Sequence, residues 1–196
     1  MGAPKDRVDT QAFFAARAAT WDERFPNDEP AFRRAAAEMT LTPGSRVLDV
    51  GCGTGRVLGV LRDAAGAGGG VIGLDVTIEM CRVAARRGAV AQADLLAGLP
   101  LPDASVDAVF GAGLVPHLTD VPAGLLELAR VTRPGGTLAL FHPLGRVALA
   151  ARRGHELHPD DPRDPVNLPP RLEPAGWRLL AVHDDPDRYL ALASRV

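Results

Sequence analysis

The sequence predicts an α/β fold, in which a mostly parallel, doubly wound sheet carries helices on both faces and closes with an antiparallel hairpin. Three observations favour this class. Apolar runs of strand length alternate with helical patterns between residues 46 and 143. The glycine-rich stretch "GCGTG" at 51–55 directly follows the first of these runs. The last two strand-like runs have only "DDPD" between them, which is too short for a crossover helix.

The individual elements follow from the spacing of apolar residues and from the turn residues that bound each run. Strands are expected at 46–50, 70–76, 89–94, 105–113 and 135–143, with the hairpin formed by 177–183 and 188–196. Helices are expected at 55–64, 78–88 and 121–131. Residues 159–174 contain six prolines, so we expect a loop there, with a short helix before Trp177.

The N-terminal segment has a different pattern, because residues 10–40 are predicted to be helical and precede the first strand. Phe14, Ala18, Trp21 and Phe25 recur at spacings that place them on one helix face. We therefore expect a helical cap over residues 1–40 and a single structural unit over residues 41–196.

Composition bounds the classes of function. Apolar residues make up 46% of the 196 residues, and the net charge is -2. So weak a charge predicts no nucleic-acid partner, and the absence of a long apolar run predicts no membrane insertion. Cys52 and Cys81 do not form a disulfide framework, and the first residues lack the apolar stretch of a secretion signal. We expect a soluble, cytoplasmic protein.

The glycine stretch predicts a ligand site at the carboxyl end of the first strand. Gly51, Gly53 and Gly55 lack a Cβ, so a ligand can approach the main chain closely. Asp75 ends the second strand, 20 residues after Gly55. A carboxylate there can accept hydrogen bonds from both hydroxyls of a ribose. The ligand therefore contains a nucleoside.

A nicotinamide dinucleotide fits this pattern less well than another nucleoside. The last glycine of the G-x-G-x-x-G pattern is replaced by Arg56, whose side chain opposes tight packing of the helix on the strand. Asp49, two residues before the loop, would repel a pyrophosphate. An oxidoreductase is kept as an alternative.

Four ordered motifs carry a family resemblance: "VLDVGCGTG", "GLDV", "ADLLAGLPLPDASVDAVF" and "ELARVTRPGGTLAL". The chain resembles class I S-adenosylmethionine-dependent methyltransferases, especially the small-molecule branch typified by enzymes of ubiquinone and menaquinone biosynthesis. The resemblance implies a Rossmann-like sheet of seven strands in the order 3-2-1-4-5-7-6. It also implies a helical lid, S-adenosyl-L-methionine as cofactor and S-adenosyl-L-homocysteine as product.

The resemblance assigns cofactor contacts residue by residue. It places the methionine part of the cofactor against Asp49, Gly51, Cys52, Gly53 and Gly55, and against the main chain of Gly111. It places the ribose on Asp75, and the adenine against Val76, Asp94 and Leu95. Trp21 either belongs to the core or contacts the cofactor from the lid, where an aromatic face attracts a sulfonium.

Two histidines are candidate catalytic bases, because both are expected at strand ends near the acceptor. His117 lies in "VPHLTD", where relatives often have L-H-H-x-x-D, and Pro116 replaces the first histidine. His142 lies at the carboxyl end of the fifth strand. A purely structural role stays open for each. A carbon or phenolate acceptor would need no protein base at all.

A small molecule is the expected acceptor, because neither the N/D-P-P-Y/F motif nor a Pro-Cys nucleophile is present. The transfer itself would be in line from sulfur to an oxygen, nitrogen or carbon. "HELH" at 155–158 invites a metal interpretation, but Pro159 and the spacing oppose it, so no metal is assigned. A catalytically silent cofactor-binding protein, and a homodimer whose second copy completes the pocket, stay open.

Overall fold

The fold is described from a computed structural model, which covers residues 7–24 and 28–196. Seven strands form the sheet: β1 Arg46–Val50, β2 Gly70–Asp75, β3 Ala89–Gln92, β4 Val106–Ala112, β5 Thr132–His142, β6 Trp177–Asp185 and β7 Arg188–Arg195. Among the described residues, seven α-helices pack around the sheet: α1 Arg7–Ala15, α2 Glu29–Glu38, α3 Leu58–Ala65, α4 Ile78–Ala84, α5 Val121–Val131, α6 Arg146–Arg153 and α7 Pro169–Leu172. Phe25, expected on the apolar face of the cap, lies outside the described residues.

The sheet has the order β3-β2-β1-β4-β5-β7-β6, which confirms the predicted fold class and strand order. Strand β1 pairs in parallel with β2 on one side and with β4 on the other. Strand β7 pairs antiparallel with both β5 and β6, as the short "DDPD" link requires. The carboxyl ends of β1 to β5 therefore lie along one edge, where open α/β sheets bind their ligands.

Apolar side chains fill both faces of the sheet, which explains why the central strands are continuous apolar runs. Leu48 and Val50 belong to the core beneath α5, and Trp177 joins that core with 1% of its surface exposed. The Trp177 Nε1–H donates to the Leu125 carbonyl at 2.9 Å. On the opposite face, Val47 packs in a cluster that helix α2 joins through Phe32.

Several elements differ in extent from the sequence prediction. Helix α3 begins at Leu58 instead of residue 55, because residues 51–57 form turns. Strand β5 begins at Thr132 instead of residue 135, and a register shift between Val106 and Ala108 accommodates the extra pairing. After α1, the chain turns through two 3-10 segments, Ala18–Thr20 and Asp22–Arg24, instead of continuing one helix.

Helix α6 was not predicted from the sequence. Its first residue, Arg146, is buried although it is charged. A hydropathy pattern assigns a charged residue to the surface, so the pattern does not show the buried face of this helix. Two glycines bound it and were the available signal. A Cβ on Gly145 would overlap the Asp185 carbonyl, and Gly154 ends the helix in the left-handed conformation with φ 73°.

A buried ion cluster fixes α6 to the proline-rich loop and the hairpin. Arg146 Nε donates to Asp184 Oδ2 at 2.9 Å, and its Nη1 lies 3.0 Å from Asp164 Oδ2. Arg163 binds Asp161 through two parallel hydrogen bonds of 3.0 and 2.9 Å. The loop is therefore held by paired charges, and the predicted short helix is present within it as α7. Across the described ranges, no helix is long and apolar enough to span a membrane.

Candidate active site

A cavity of about 500 Å³, here called the central cavity, lies at the carboxyl ends of the strands on either side of β1. The chain order reverses between β1 and β4, so the cavity lies at the switch point of the sheet. Most of the predicted site residues line it: Trp21, Asp49, Gly51, Cys52, Gly53, Asp75, Val76, Asp94, Leu95, His117 and His142. Gly55 and Gly111 do not line it.

The glycine loop needs its glycines for conformation. Gly51, Gly53 and Gly55 have φ values of 65°, 53° and 77°, in the left-handed region that side chains disfavour. The Leu74 carbonyl accepts the Gly51 N–H at 2.8 Å and the Cys52 N–H at 3.1 Å, which binds the loop to β2. The loop therefore presents bare main chain to the central cavity.

The two glycines outside the lining serve packing. A Cβ on Gly55 would lie 2.9 Å from Leu58 Cδ1 and 3.0 Å from Ala84 Cβ, so Gly55 lets α3 approach α4. A Cβ on Gly111 would lie 3.1 Å from Leu114 Cδ2, so Gly111 makes room for Leu114 against β4. Their predicted cofactor contacts stay predictions.

Asp75 links the glycine loop to the start of α4. Its Oδ2 accepts the Gly53 N–H at 2.8 Å, and its Oδ1 accepts the Thr77 N–H at 2.8 Å. Burial raises the pKa of Asp75, while these two N–H bonds oppose the rise. A carboxylate offers about four acceptor positions, so two stay available to a ligand in the central cavity.

Asp49 has no exposed surface, and neither of its carboxylate oxygens has a hydrogen-bond partner among the described residues. Burial, followed by the charge of Asp75, raises the pKa of Asp49 well above its usual range. Because Asp49 lines the central cavity, a ligand cation or donor could pair with its carboxylate.

The ends of β2 and β3 build the wall of the cavity against which adenine is expected. The Val76 carbonyl accepts from Gln92 Nε2 at 3.0 Å and from Gln11 Nε2 of helix α1 at 2.9 Å. Asp94 Oδ1 accepts the Leu96 N–H at 3.0 Å and so caps a 3-10 turn that buries Leu95. The sequence-predicted pair Asp94 and Leu95 is thereby held in the wall of the cavity.

The N-terminal segment covers the cavity with aromatic rings. Phe14 lies edge-on to Trp21, with 5.3 Å between ring centroids, and edge-on to His117, with 5.1 Å. All three rings line the central cavity. The turn after α1 therefore brings Trp21 over the cavity even though the helix does not continue to it.

Polar contacts bind this segment to the glycine loop. Asp22 Oδ1 accepts from the Thr54 hydroxyl at 2.5 Å, and Asp22 Oδ2 lies 2.6 Å from Arg87 Nη2. Arg56 Nη1 donates to Asp28 Oδ2 at 3.1 Å, so the residue that replaces the third glycine holds the segment before α2. Sequence reasoning missed Asp22 and Asp28, because their partners lie more than 25 residues away.

Both histidines line the central cavity as neutral groups. The pKa of His117 is lowered to about 4 by burial and by the charges of Arg153 and Arg163. The pKa of His142 is also lowered to about 4, again chiefly by burial. His142 Nδ1 lies 3.0 Å from both the Leu144 N–H and the Leu144 carbonyl oxygen, so this backbone contact fits either tautomer of the neutral ring.

Two arginines at the end of α6, Arg152 and Arg153, also line the central cavity. Sequence reasoning missed both, because it missed the helix that carries them. Cys52 is not a nucleophile, since burial strongly raises the pKa of its thiol. Within residues 7–24 and 28–196, no cluster of His, Cys, Asp or Glu side chains is able to hold a metal ion.

Comparison with known proteins was made for both sequence and fold. Residues 48–140 match the family model described as a methyltransferase domain. A malonyl-[acyl-carrier protein] O-methyltransferase of Serratia marcescens is 35% identical over 76% of this chain and 59% of its own length. A demethylmenaquinone methyltransferase of Tropheryma whipplei is 37% identical over 60% of this chain and 51% of its own length.

The structure is also similar to a solved S-adenosylmethionine-dependent methyltransferase from Aquifex aeolicus. The TM-score is 0.76 at 26% identity, over 93% of this chain and 98% of that chain. The chain thus spans only about half to three fifths of the length of these curated relatives, 59% of the first and 51% of the second.

Proposed function

Because this chain belongs to the class I S-adenosylmethionine-dependent methyltransferase family, we propose that it methylates a small molecule and releases S-adenosyl-L-homocysteine. The observation that carries the proposal is the unpartnered, fully buried Asp49 carboxylate beside Asp75 in the central cavity. S-adenosyl-L-methionine carries both an ammonium and a sulfonium, and so fits a pocket that offers an unpaired carboxylate.

The residues present fit the cofactor along its length. Asp75 has acceptor capacity left for the ribose hydroxyls after its two N–H bonds. Val76 and Leu95 offer apolar walls for adenine, and Asp94 a carboxylate for its amine. The glycine loop offers main chain without side chains at the methionine part.

The cofactor supplies a methyl group already activated by its sulfonium, so the protein contributes mainly alignment and exclusion of water. Phe14 and Trp21 exclude water by covering the cavity. His142 is anchored through Nδ1 to the Leu144 main chain, which leaves Nε2 for the acceptor molecule. His117 and His142 are the candidate bases, and pKa values of about 4 make both of them weak.

Calorimetry with S-adenosyl-L-homocysteine and with NAD tests the proposal. We expect binding of the first, no heat with the second, and at least a tenfold loss of affinity in Asp75→Ala. Asp63→Asn is the matched control, because Asp63 is an exposed carboxylate paired with Arg33 outside the cavity. No heat with the homocysteine product, or an Asp75→Ala variant that binds like the wild type, refutes it.

A cofactor-binding protein without catalysis is the second candidate, because both histidines are weak bases. A methyl-labelled cofactor offered with phenols, quinone precursors, amines and carboxylic acids separates the two. Label transfer supports the enzyme, whereas binding of S-adenosyl-L-homocysteine without transfer to any class supports the silent protein. An oxidoreductase is disfavoured, since the buried Asp49 in the cavity lining would repel a pyrophosphate.

Two further assignments belong to the same proposal. Both cysteines are free thiols, which fits a cytoplasmic location. A homodimer that completes the cavity is tested by light scattering with and without S-adenosyl-L-homocysteine. A molar mass of one chain under both conditions excludes it.

A further inference from the structure

We propose that the methyl acceptor carries a carboxylate, and that Arg152 and Arg153 bind this group at the α6 side of the central cavity. The identification of the bound acid as the methyl acceptor rests on the proposed function. The anion site itself is argued from the described residues and is tested separately from methyl transfer.

The first argument is the segregation of charge along the cavity. Three lining carboxylates lie at or next to the carboxyl ends of β1, β2 and β3: Asp49, Asp75 and Asp94. The cavity is also lined by Asp28 and Arg56, whose charges are paired with each other. Arg152 and Arg153 come after β5, three strands from β2, which corresponds to about 14 Å at the usual strand spacing. A ligand that spans the cavity therefore meets acidic groups at one side and guanidinium groups at the other.

The second argument is the lining of the α6 side. Among the described lining residues that come after Leu96 in the chain, none carries a carboxylate. They include the two neutral histidines, the Thr119 hydroxyl and the apolar side chains of Leu144 and Leu149. No carboxylate among the described residues pairs with Arg153. An anion that enters beside Arg153 therefore meets positive charge, and no carboxylate of the described lining on this side competes with it.

A simpler explanation is that arginines at a helix C-terminus stabilise the helix dipole and are otherwise solvated. Two facts go beyond that explanation. Both arginines line the cavity, and their charges reach its interior, because they help to lower the pKa of His142. Arg163 adds to this field but is held by two bonds to Asp161, so it is not available to the ligand.

A carboxylate suits this site better than a neutral polar group. Guanidinium groups bind carboxylates through parallel, charge-assisted hydrogen bonds, which fix orientation as well as position. An acceptor held in this way presents its remaining atoms toward the cofactor side. Arg152 and Arg153 would thus act in acceptor selection, without contact with the atoms that react.

The test uses acids and their amides as probes, for example 4-hydroxybenzoate with 4-hydroxybenzamide and 3-phenylpropionate with its amide. Calorimetry is run with and without S-adenosyl-L-homocysteine. We expect at least one acid to bind at least tenfold more tightly than its amide, and this preference to shrink when NaCl is raised from 50 to 500 mM.

The double variant Arg152→Gln/Arg153→Gln should lose this preference at least tenfold and keep its affinity for S-adenosyl-L-homocysteine within twofold. Arg82→Gln is the control, because Arg82 is an arginine on α4, 72% exposed and outside the cavity lining. Both replaced residues of the double variant are exposed, so folding should be retained, and circular dichroism checks this.

The inference is overturned if no acid is preferred to its amide, or if the double variant keeps the preference. Failure of the proposed function gives a different result: S-adenosyl-L-homocysteine does not bind, whatever the acids do. Acid preference without that binding would leave an anion site in a protein that is not a methyltransferase.

Discussion

At the scale of single residues, Asp49 destabilises the ligand-free protein. Its carboxylate is fully buried and has no hydrogen-bond partner among the described residues. Its raised pKa means that the folded state holds a proton more tightly than the unfolded state does. The resulting stability is present below the usual carboxylate pKa, and is lost as pH rises through the raised one.

Replacing Asp49 by Asn should therefore stabilise the ligand-free protein at pH 8, by on the order of 1 kcal/mol, or about 2–4 °C in Tm. The same change should weaken S-adenosyl-L-homocysteine binding at least tenfold. Thermal unfolding and calorimetry measure the two effects. A lower Tm together with unchanged affinity would contradict this account of the buried carboxylate.

His117 and His142 act on stability with the opposite sign. Their pKa values are lowered from 6.5 to about 4 in the folded state, so the stability they confer is present above pH 6.5 and is lost as pH falls toward 4. We expect each to account for about 1–2 kcal/mol lost between pH 7 and pH 5. Urea unfolding at the two pH values measures it.

The comparison is made against His117→Asn and His142→Asn, which should each flatten the dependence on pH. The exposed His155 supplies the control variant, His155→Asn, which should leave the dependence unchanged. If the control flattens it as much as the other two, burial is not the cause.

Residues fixed by local chain geometry could be predicted from the sequence, and those fixed by distant contacts could not. Asp49, Asp75 and the glycine loop lie in or next to strands whose order the motifs imply. Arg153 lines the cavity because α6 carries it there, and Asp22 is held beside the glycine loop by Thr54 and Arg87. No local spacing predicts such partners.

At the scale of elements, side-chain contacts join the N-terminal segment, residues 7–24, to the rest of the protein. Asp22 joins it to the glycine loop and to Arg87, and Gln11 joins α1 to the Val76 carbonyl. Phe14 adds aromatic contacts with Trp21 and His117, and Ala18 is buried. A segment held by side-chain contacts opens more readily than a sheet held by backbone pairing.

Asp22→Asn should make the N-terminal segment open more often, because it removes the charge opposite Arg87 and leaves the sheet intact. We expect amide hydrogen exchange of α1 to accelerate about five- to tenfold, with no change in β1 or β4. Exchange measured by mass spectrometry is the readout, and Asp63→Asn is again the control. Equal acceleration across the strands would show a global loss of stability instead.

Elements with a clear period were predicted more fully than elements whose charge is buried. Helix α5 has the predicted bounds, Val121–Val131, because its apolar face recurs regularly. Helix α6 escaped prediction because the buried Arg146 forms ion pairs with Asp184 and Asp164, which come from distant parts of the chain. The length of β5 likewise depends on a register shift against β4.

At the scale of the whole molecule, the expected division at residue 40 stays a prediction. Helix α2 precedes that boundary, yet Phe32 and Met39 are buried in the cluster that contains Val47 and Phe110. Phe32 lies 5.3 Å from Phe141, measured between ring centroids. This packing argues that α2 folds together with the sheet.

A chain that begins at residue 41 should therefore be strongly destabilised, while one that begins at residue 28 should stay folded. Removing Phe32 and Met39 alone exposes a core face, at a cost of about 3–5 kcal/mol for each large side chain. Urea unfolding of both truncated chains tests this. Equal midpoints would show that the boundary at residue 40 is a true division.

The position of β7 between β5 and β6 has a consequence for biosynthesis. The ribosome makes β6 first, yet β6 has no neighbour to pair with until β7 follows. Until then, residues 138–141 of β5 form an apolar strand edge with unpaired backbone groups, which can pair with another nascent chain. Chaperone dependence during translation should thus depend on how quickly residues 188–195 emerge.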